Sequence, residues 1–103
     1  MIGVNRLEGR VIIVTGGAAG IGRAFADGFV REGAKVVLAD INGDGAYQSA
    51  KEIEASGGEA LAVTVDVSEQ EQTESMAEQA IARFGKIDGL VNNAAIAIRV
   101  HHT

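Results

Sequence analysis

The 103-residue sequence has no cysteine, no proline and no tryptophan, and only one tyrosine and three phenylalanines. Without cysteine there is no disulfide, no thiolate nucleophile and no thiolate metal site, and a reducing, cytoplasmic setting is the default expectation. With aromatics at 4%, no platform for stacking nucleic-acid bases is visible. An excess of positive charge is also missing. The net charge of -5 argues against nucleic acid or an anionic membrane surface as the main partner. No apolar run approaches the roughly 20 residues that a membrane span needs, and the opening "MIGVNRLEGR" lacks an apolar signal core. With proline absent, most turns fall to the 14 glycines.

What is present is an ordinary globular mixture, 47% hydrophobic and 22% charged. It suits one small domain, residues 1–103, with a limited core. Apolar runs alternate with helical patterns. "RVIIVT" (Arg10 to Thr15) is a β-branched run that reads as a buried strand. "GIGRAFADGFVREG" follows as a helix, with Ile21, Phe25, Phe29 and Val30 on one face and Gly33 at its end. "KVVLAD" (Lys35 to Asp40) is the second strand, and "GDGAYQSAKEIEASGG" the second helix, stopped by Gly57 and Gly58. "EALAVTVDV" (Glu59 to Val67) is the third strand. Ser68 opens "SEQE", which predicts a capping box with Glu71. The helix behind it turns Met76, Ala77, Ala80, Ile81 and Phe84 inward and ends at Gly85. A fourth strand spans about Ile87 to Val91, and residues 97–103 are expected to form a disordered tail. Three strand–helix units followed by a strand require a parallel sheet with helices packed on both faces. Right-handed crossovers give an α/β doubly wound sheet in the order 3-2-1-4.

Four short stretches carry chemistry. "TGGAAGIG" (Thr15 to Gly22) joins the first strand to the first helix. Gly16, Gly20 and Gly22 allow a sharp turn and close approach of a ligand, and the helix N-terminus behind them offers N–H groups to a pyrophosphate. The bland alternative is a tight turn that binds nothing. Asp40 ends the second strand, where a carboxylate accepts from ribose hydroxyls and repels a 2′-phosphate, so NAD is expected over NADP. Ala18, Ala19, Ile41 and Asn42 offer that phosphate no positive charge. Asp66 and Val67 end the third strand, suited either to an adenine ring or simply to the approach to Ser68. "NNAA" (Asn92 to Ala95) has amides able to tie strands together and small residues that leave room for a ribose; on its own it is an ordinary polar turn.

Together these stretches resemble the N-terminal half of the short-chain dehydrogenase/reductase family, in the order and on the elements that family uses, up to about Ile96. The resemblance implies a Rossmann-type fold and NAD(P)(H)-dependent oxidation of alcohols or reduction of carbonyls. It assigns Gly16, Gly20, Ile21 and Gly22 to the pyrophosphate loop, Asp40 to NAD selection, Asp66 and Val67 to adenine, and Asn93 and Ala94 to the adenosine ribose and strand bridging. Ala95 departs from the glycine that usually ends the family's NNAG motif. The family's catalytic serine follows a fifth strand, and its YxxxK pair lies on the next helix.

No serine or lysine follows the fourth strand here, and the chain's only tyrosine is Tyr47. It belongs to "YQSAK" (Tyr47 to Lys51), which has the YxxxK spacing at the wrong address, on the helix after the second strand. It reads as a helix-face tyrosine beside an exposed lysine. His101 and His102 read as a solvated tail rather than a metal pair, so neither a catalytic residue nor a metal site is expected. The chain is thus expected to hold NAD as the truncated cofactor half of an oxidoreductase, without turnover by itself. Its alcohol or carbonyl substrate would engage only a full-length protein. The alternatives are a non-catalytic NAD-binding module, or a split subunit that joins a complementary half. Self-association through the open fourth-strand edge is expected.

Overall fold

A computed structural model describes residues 6–93. Ala94, Ala95, His101, His102 and the expected tail at 97–103 lie outside the described residues. The element order is β1 (Val11–Thr15), α1 (Gly20–Arg31), β2 (Lys35–Asp40), α2 (Gly43–Ala55), β3 (Ala60–Thr64), α3 (Gln70–Phe84) and β4 (Gly89–Asn92). The four strands form one parallel sheet in the order β3-β2-β1-β4, the order expected from right-handed crossovers.

Register and side-chain alternation explain why both sheet faces are apolar. Ile12 pairs with Val36, and Val36 with Ala60. These residues, with Val14 and Leu38, pack against Ala26 of α1 and Ala46, Ala50 and Ile53 of α2. The alternate residues Val11, Ile13, Val37, Ala39 and Val63 face the other way, against Met76 and Ala80 of α3. A parallel sheet covered on both faces needs such continuous apolar runs rather than an in–out alternation of polarity.

The helices seat differently from their sequence patterns. Ile21 is 68% exposed and Phe25 is also exposed. The buried residues of α1 are Gly22 and Ala26, because small residues let the helix backbone come close to the sheet. Phe25 instead stacks on Phe29 at a centroid distance of 6.2 Å, and Phe29 and Val30 pack at the core margin. Ile81 of α3 is exposed as well; the inward row there is Met76, Ala80 and Phe84.

The expected capping box is not formed. The N-cap of α3 is Glu69, with no side-chain cap bond. Ser68 points back instead, donating from its Oγ (2.6 Å) and its N–H (3.0 Å) to Asp66 Oδ1. The helix starts at Gln70, one residue too late for Ser68 to be its N-cap, and the charge-assisted bonds to the carboxylate two residues upstream hold Ser68 in an Asx turn. The third strand accordingly stops at Thr64, so that Asp66 and Val67 lie beyond its end, and the fourth begins at Gly89 rather than Ile87.

Candidate functional site

The carboxyl ends of β1, β2 and β4 meet the start of α1. Thr15 ends β1 and is buried; its hydroxyl lies 3.3 Å from the Val91 carbonyl oxygen and 3.1 Å from Asn92 Oδ1 of β4. The chain then leaves the sheet through Gly16, whose N–H donates to the Ala39 carbonyl at 2.7 Å. Gly16 and Gly20 have φ of 66° and 61°, the left-handed region that glycine enters without a Cβ penalty.

Gly22 is required for a different reason. A Cβ at this position would lie 2.0 Å from the Gly16 carbonyl oxygen and 2.7 Å from its carbon. The first turn of α1 thus packs directly on the start of the loop. Asn93 closes the same corner, its Nδ2 donating to the Gly16 carbonyl at 3.4 Å.

The start of α1 differs electrostatically from those of the other helices. Its N-cap, Ala19, makes no side-chain cap bond, and its first turn has no acidic residue. The N-terminus of α2 is capped by Asn42, which accepts from the Gly45 N–H at 3.0 Å, and Asp44 stands in its first turn. The first turn of α3 carries Glu71. Among α1, α2 and α3, only at α1 do the free N–H groups and the positive end of the helix dipole lack an acidic residue in the first turn. A Cβ at Gly20 would meet nothing within 4 Å, so the space beside this N-terminus is open.

Asp40 faces this loop from the end of β2. Its Oδ2 accepts from the Ala18 N–H at 2.9 Å, and its Oδ1 from the Asn42 N–H at 3.0 Å. Each carboxylate oxygen has a second lone pair, so the two backbone bonds orient the carboxylate without exhausting it. Asp66 sits at the end of the neighbouring strand connection. Its carboxyl is held below the usual range, first by the Ser68 hydroxyl and then by the Ser68 N–H, and its own N–H donates to Gln72 Oε1 at 2.8 Å.

Gly16, Gly20, Ile21, Gly22, Asp40 and Asn93 are therefore brought together at the carboxyl end of the sheet. Asp66 and Val67 follow β3, two strands from β1. Ile21 lies exposed in the first turn of α1. Two residues that sequence reasoning passed over also shape the loop. A Cβ on Gly17 would lie 2.9 Å from the Val14 carbonyl oxygen and 3.2 Å from Leu38 Cδ2. Ser49 of α2 is buried, and its hydroxyl donates to the Ala18 carbonyl at 2.8 Å. The signal for Ser49 was available: it falls on the apolar row Ala46, Ala50 and Ile53, where a polar residue needs a partner.

Tyr47 is exposed on α2, and Lys51 Nζ lies 5.5 Å from its ring centroid in a cation–π placement. Among the described residues there is no cluster of three or more metal-ligating side chains, and no helix long and apolar enough to cross a membrane.

Comparison with known proteins gives this geometry its context. A family model described as short chain dehydrogenase matches residues 10–103. A sorbitol dehydrogenase of Cereibacter sphaeroides is 47% identical over 91 residues, which are 88% of this chain and 34% of that protein. A 7α-hydroxysteroid dehydrogenase of Escherichia coli is 44% identical over 89 residues, 86% of this chain and 35% of that protein. A solved structure of a 7α-hydroxysteroid dehydrogenase complexed with NADH and 7-oxo glycochenodeoxycholic acid superposes with a TM-score of 0.82 at 42% identity, over 84% of this chain and 34% of that one. The chain thus spans about one third of the length of the relatives it matches. On the family match and the shared fold, it belongs to the short-chain dehydrogenase family.

Proposed function

We propose that this chain is the NAD(H)-binding part of a dehydrogenase that interconverts alcohols and carbonyls by hydride transfer. The observation that carries the reading is the pairing of an α1 N-terminus with no acidic residue in its first turn and the Asp40 carboxylate, linked through the Ala18 N–H. The first suits a pyrophosphate and the second a ribose diol. The residues present fit a dinucleotide. Gly16, Gly20, Ile21 and Gly22 would follow the pyrophosphate and Asp40 the adenosine ribose. Asp66 and Val67 would serve the adenine, and Asn93 and Ala94 the adenosine ribose and the bridging of strands. The NADH in a relative's structure and the dehydrogenase names of others support the same reading. Bound nicotinamide supplies the hydride chemistry; the residues of this chain bind and orient.

Asp40 also argues for NAD over NADP, because its carboxylate would repel a 2′-phosphate. Titration of the protein with NADH and NADPH checks this. NADH should bind tighter by about tenfold or more, the scale of a hydrogen bond to a charged group. Equal or tighter NADPH binding would overturn the assignment.

By itself the 103-residue chain is proposed to bind without turnover. Its only tyrosine, Tyr47, stands exposed on α2, with Lys51 against its ring. An assay with secondary alcohols should give no rate above background. A robust rate that disappears in Tyr47→Phe would defeat this part of the proposal.

A further inference from the structure

Ser49 interrupts an apolar helix face. Its neighbours on that face, Ala46, Ala50 and Ile53, are buried against the sheet. Alanine there would continue the row without loss of packing, whereas a buried hydroxyl costs free energy unless it is bonded. The Ser49 hydroxyl donates across to the Ala18 carbonyl at 2.8 Å. On its other side Ala18 donates its N–H to Asp40 Oδ2 at 2.9 Å. One loop residue is thus gripped at both backbone groups by side chains from two other elements.

The residues around Ala18 are the ones that need such a grip. Gly16 and Gly20 flank it with positive φ, and Gly17 adjoins it. Glycines leave a loop many backbone alternatives. In a trans peptide the carbonyl and the following N–H point in opposite directions, and no peptide bond among the described residues is cis. Drawing the Ala18 carbonyl toward α2 therefore turns the Ala19 N–H away from α2.

We propose that Ser49 is a positioning residue for the glycine-rich loop, fixing the Ala18–Ala19 peptide so that the loop's donors are set before a pyrophosphate arrives. This rests on the dinucleotide reading above. Ser49 itself touches no ligand. Asp40 keeps a second bond, from the Asn42 N–H, that does not pass through the loop, so loss of the Ser49 hydroxyl should disturb the pyrophosphate loop more than the ribose contact.

The test compares wild type and Ser49→Ala in the full-length protein by three measurements. These are amide exchange at Ala18 without nucleotide, affinity for NADH, and affinity for adenosine, which has the ribose but no phosphate. Ser49→Ala should speed exchange at the Ala18 amide, which its bond to Asp40 protects, and weaken NADH about three- to tenfold, the scale of one hydrogen bond, while adenosine changes less than about twofold. Unchanged NADH affinity, or equal losses for NADH and adenosine, would overturn the proposal, since a merely structural serine would move both ligands alike. If Ser49→Ala does not fold, Ser49→Thr, which keeps the hydroxyl, must retain the wild-type ratio of the two affinities; a lost ratio refutes the role. If wild type binds no NADH, the dinucleotide reading fails, and the amide exchange alone decides whether Ser49 holds the loop.

Discussion

At the scale of single residues, the glycines of the loop answer to two different constraints. Gly22 has no room: its Cβ would meet backbone atoms of Gly16 at 2.0 and 2.7 Å, and backbone cannot rotate away. Gly22→Ala should destabilise the protein by about 2–4 kcal/mol, as overpacking against fixed atoms does. Gly20 has room but the wrong dihedral, with φ of 61° and nothing within 4 Å; Gly20→Ala should cost only about 1–2 kcal/mol, the penalty for a left-handed alanine. Urea unfolding of the two variants checks the order, and a Gly20→Ala loss larger than that of Gly22→Ala would contradict it. The glycine pattern in "TGGAAGIG" was legible as a loop with a purpose. Which glycine answers to crowding and which to dihedral was not, because crowding depends on how close α1 lies to Gly16.

At the scale of elements, strands were easier to read than helix faces. β-branched runs such as "VIIVT" have few other uses, and their order left one sheet topology. Helix faces are less legible: Ile81, expected inward, is exposed, and the large apolar residues Ile21 and Phe25 that share a face of α1 are not its buried ones. Period alone does not say that a helix seats through Gly22 and Ala26. The start of β1 shows a further tie that has no motif. Asp88, just before β4, accepts from the Val11 N–H at 2.8 Å and lies 3.3 Å from Lys86 Nζ and 3.7 Å from the Arg10 guanidinium. The Val11 N–H, before the Lys86 ammonium, holds the Asp88 carboxyl below the usual range. A depressed carboxylate contributes stability that is complete above its unfolded value, about 3.9, and lost as pH falls through the lower folded value. Stability should therefore fall below about pH 4, and Asp88→Asn should flatten that acid limb. Unfolding curves at pH 7, 4 and 3 measure it; an unaltered limb would remove Asp88 from the account.

At the scale of the whole molecule, the two ends of the sheet have different surroundings. β3 is one edge and β4 the other among the described residues, and Leu90 of β4 is 56% exposed although its register partner Ile13 is buried. An apolar residue on an unpaired edge favours association. The isolated chain should self-associate in a concentration-dependent way, and Leu90→Lys should shift it toward monomer in sedimentation velocity. A monomeric wild-type chain at high concentration would refute this expectation, and with it the main argument for a complementary half.

The sequence by itself determined the strand–helix alternation, the parallel sheet and the motifs that bring the family into view. Those features depend on local pattern and on crossover handedness, and both survive without coordinates. Tertiary structure alone decided which helix faces are buried, that Ser68 serves Asp66 rather than capping α3, and that Ala18 is held between Asp40 and Ser49. Each of those outcomes is a competition between partners distant in sequence or of unequal strength, and only the folded geometry brings them within hydrogen-bonding distance. Ser49, inside the stretch that imitates a catalytic motif, acts on the loop through such a contact, across 31 residues of chain.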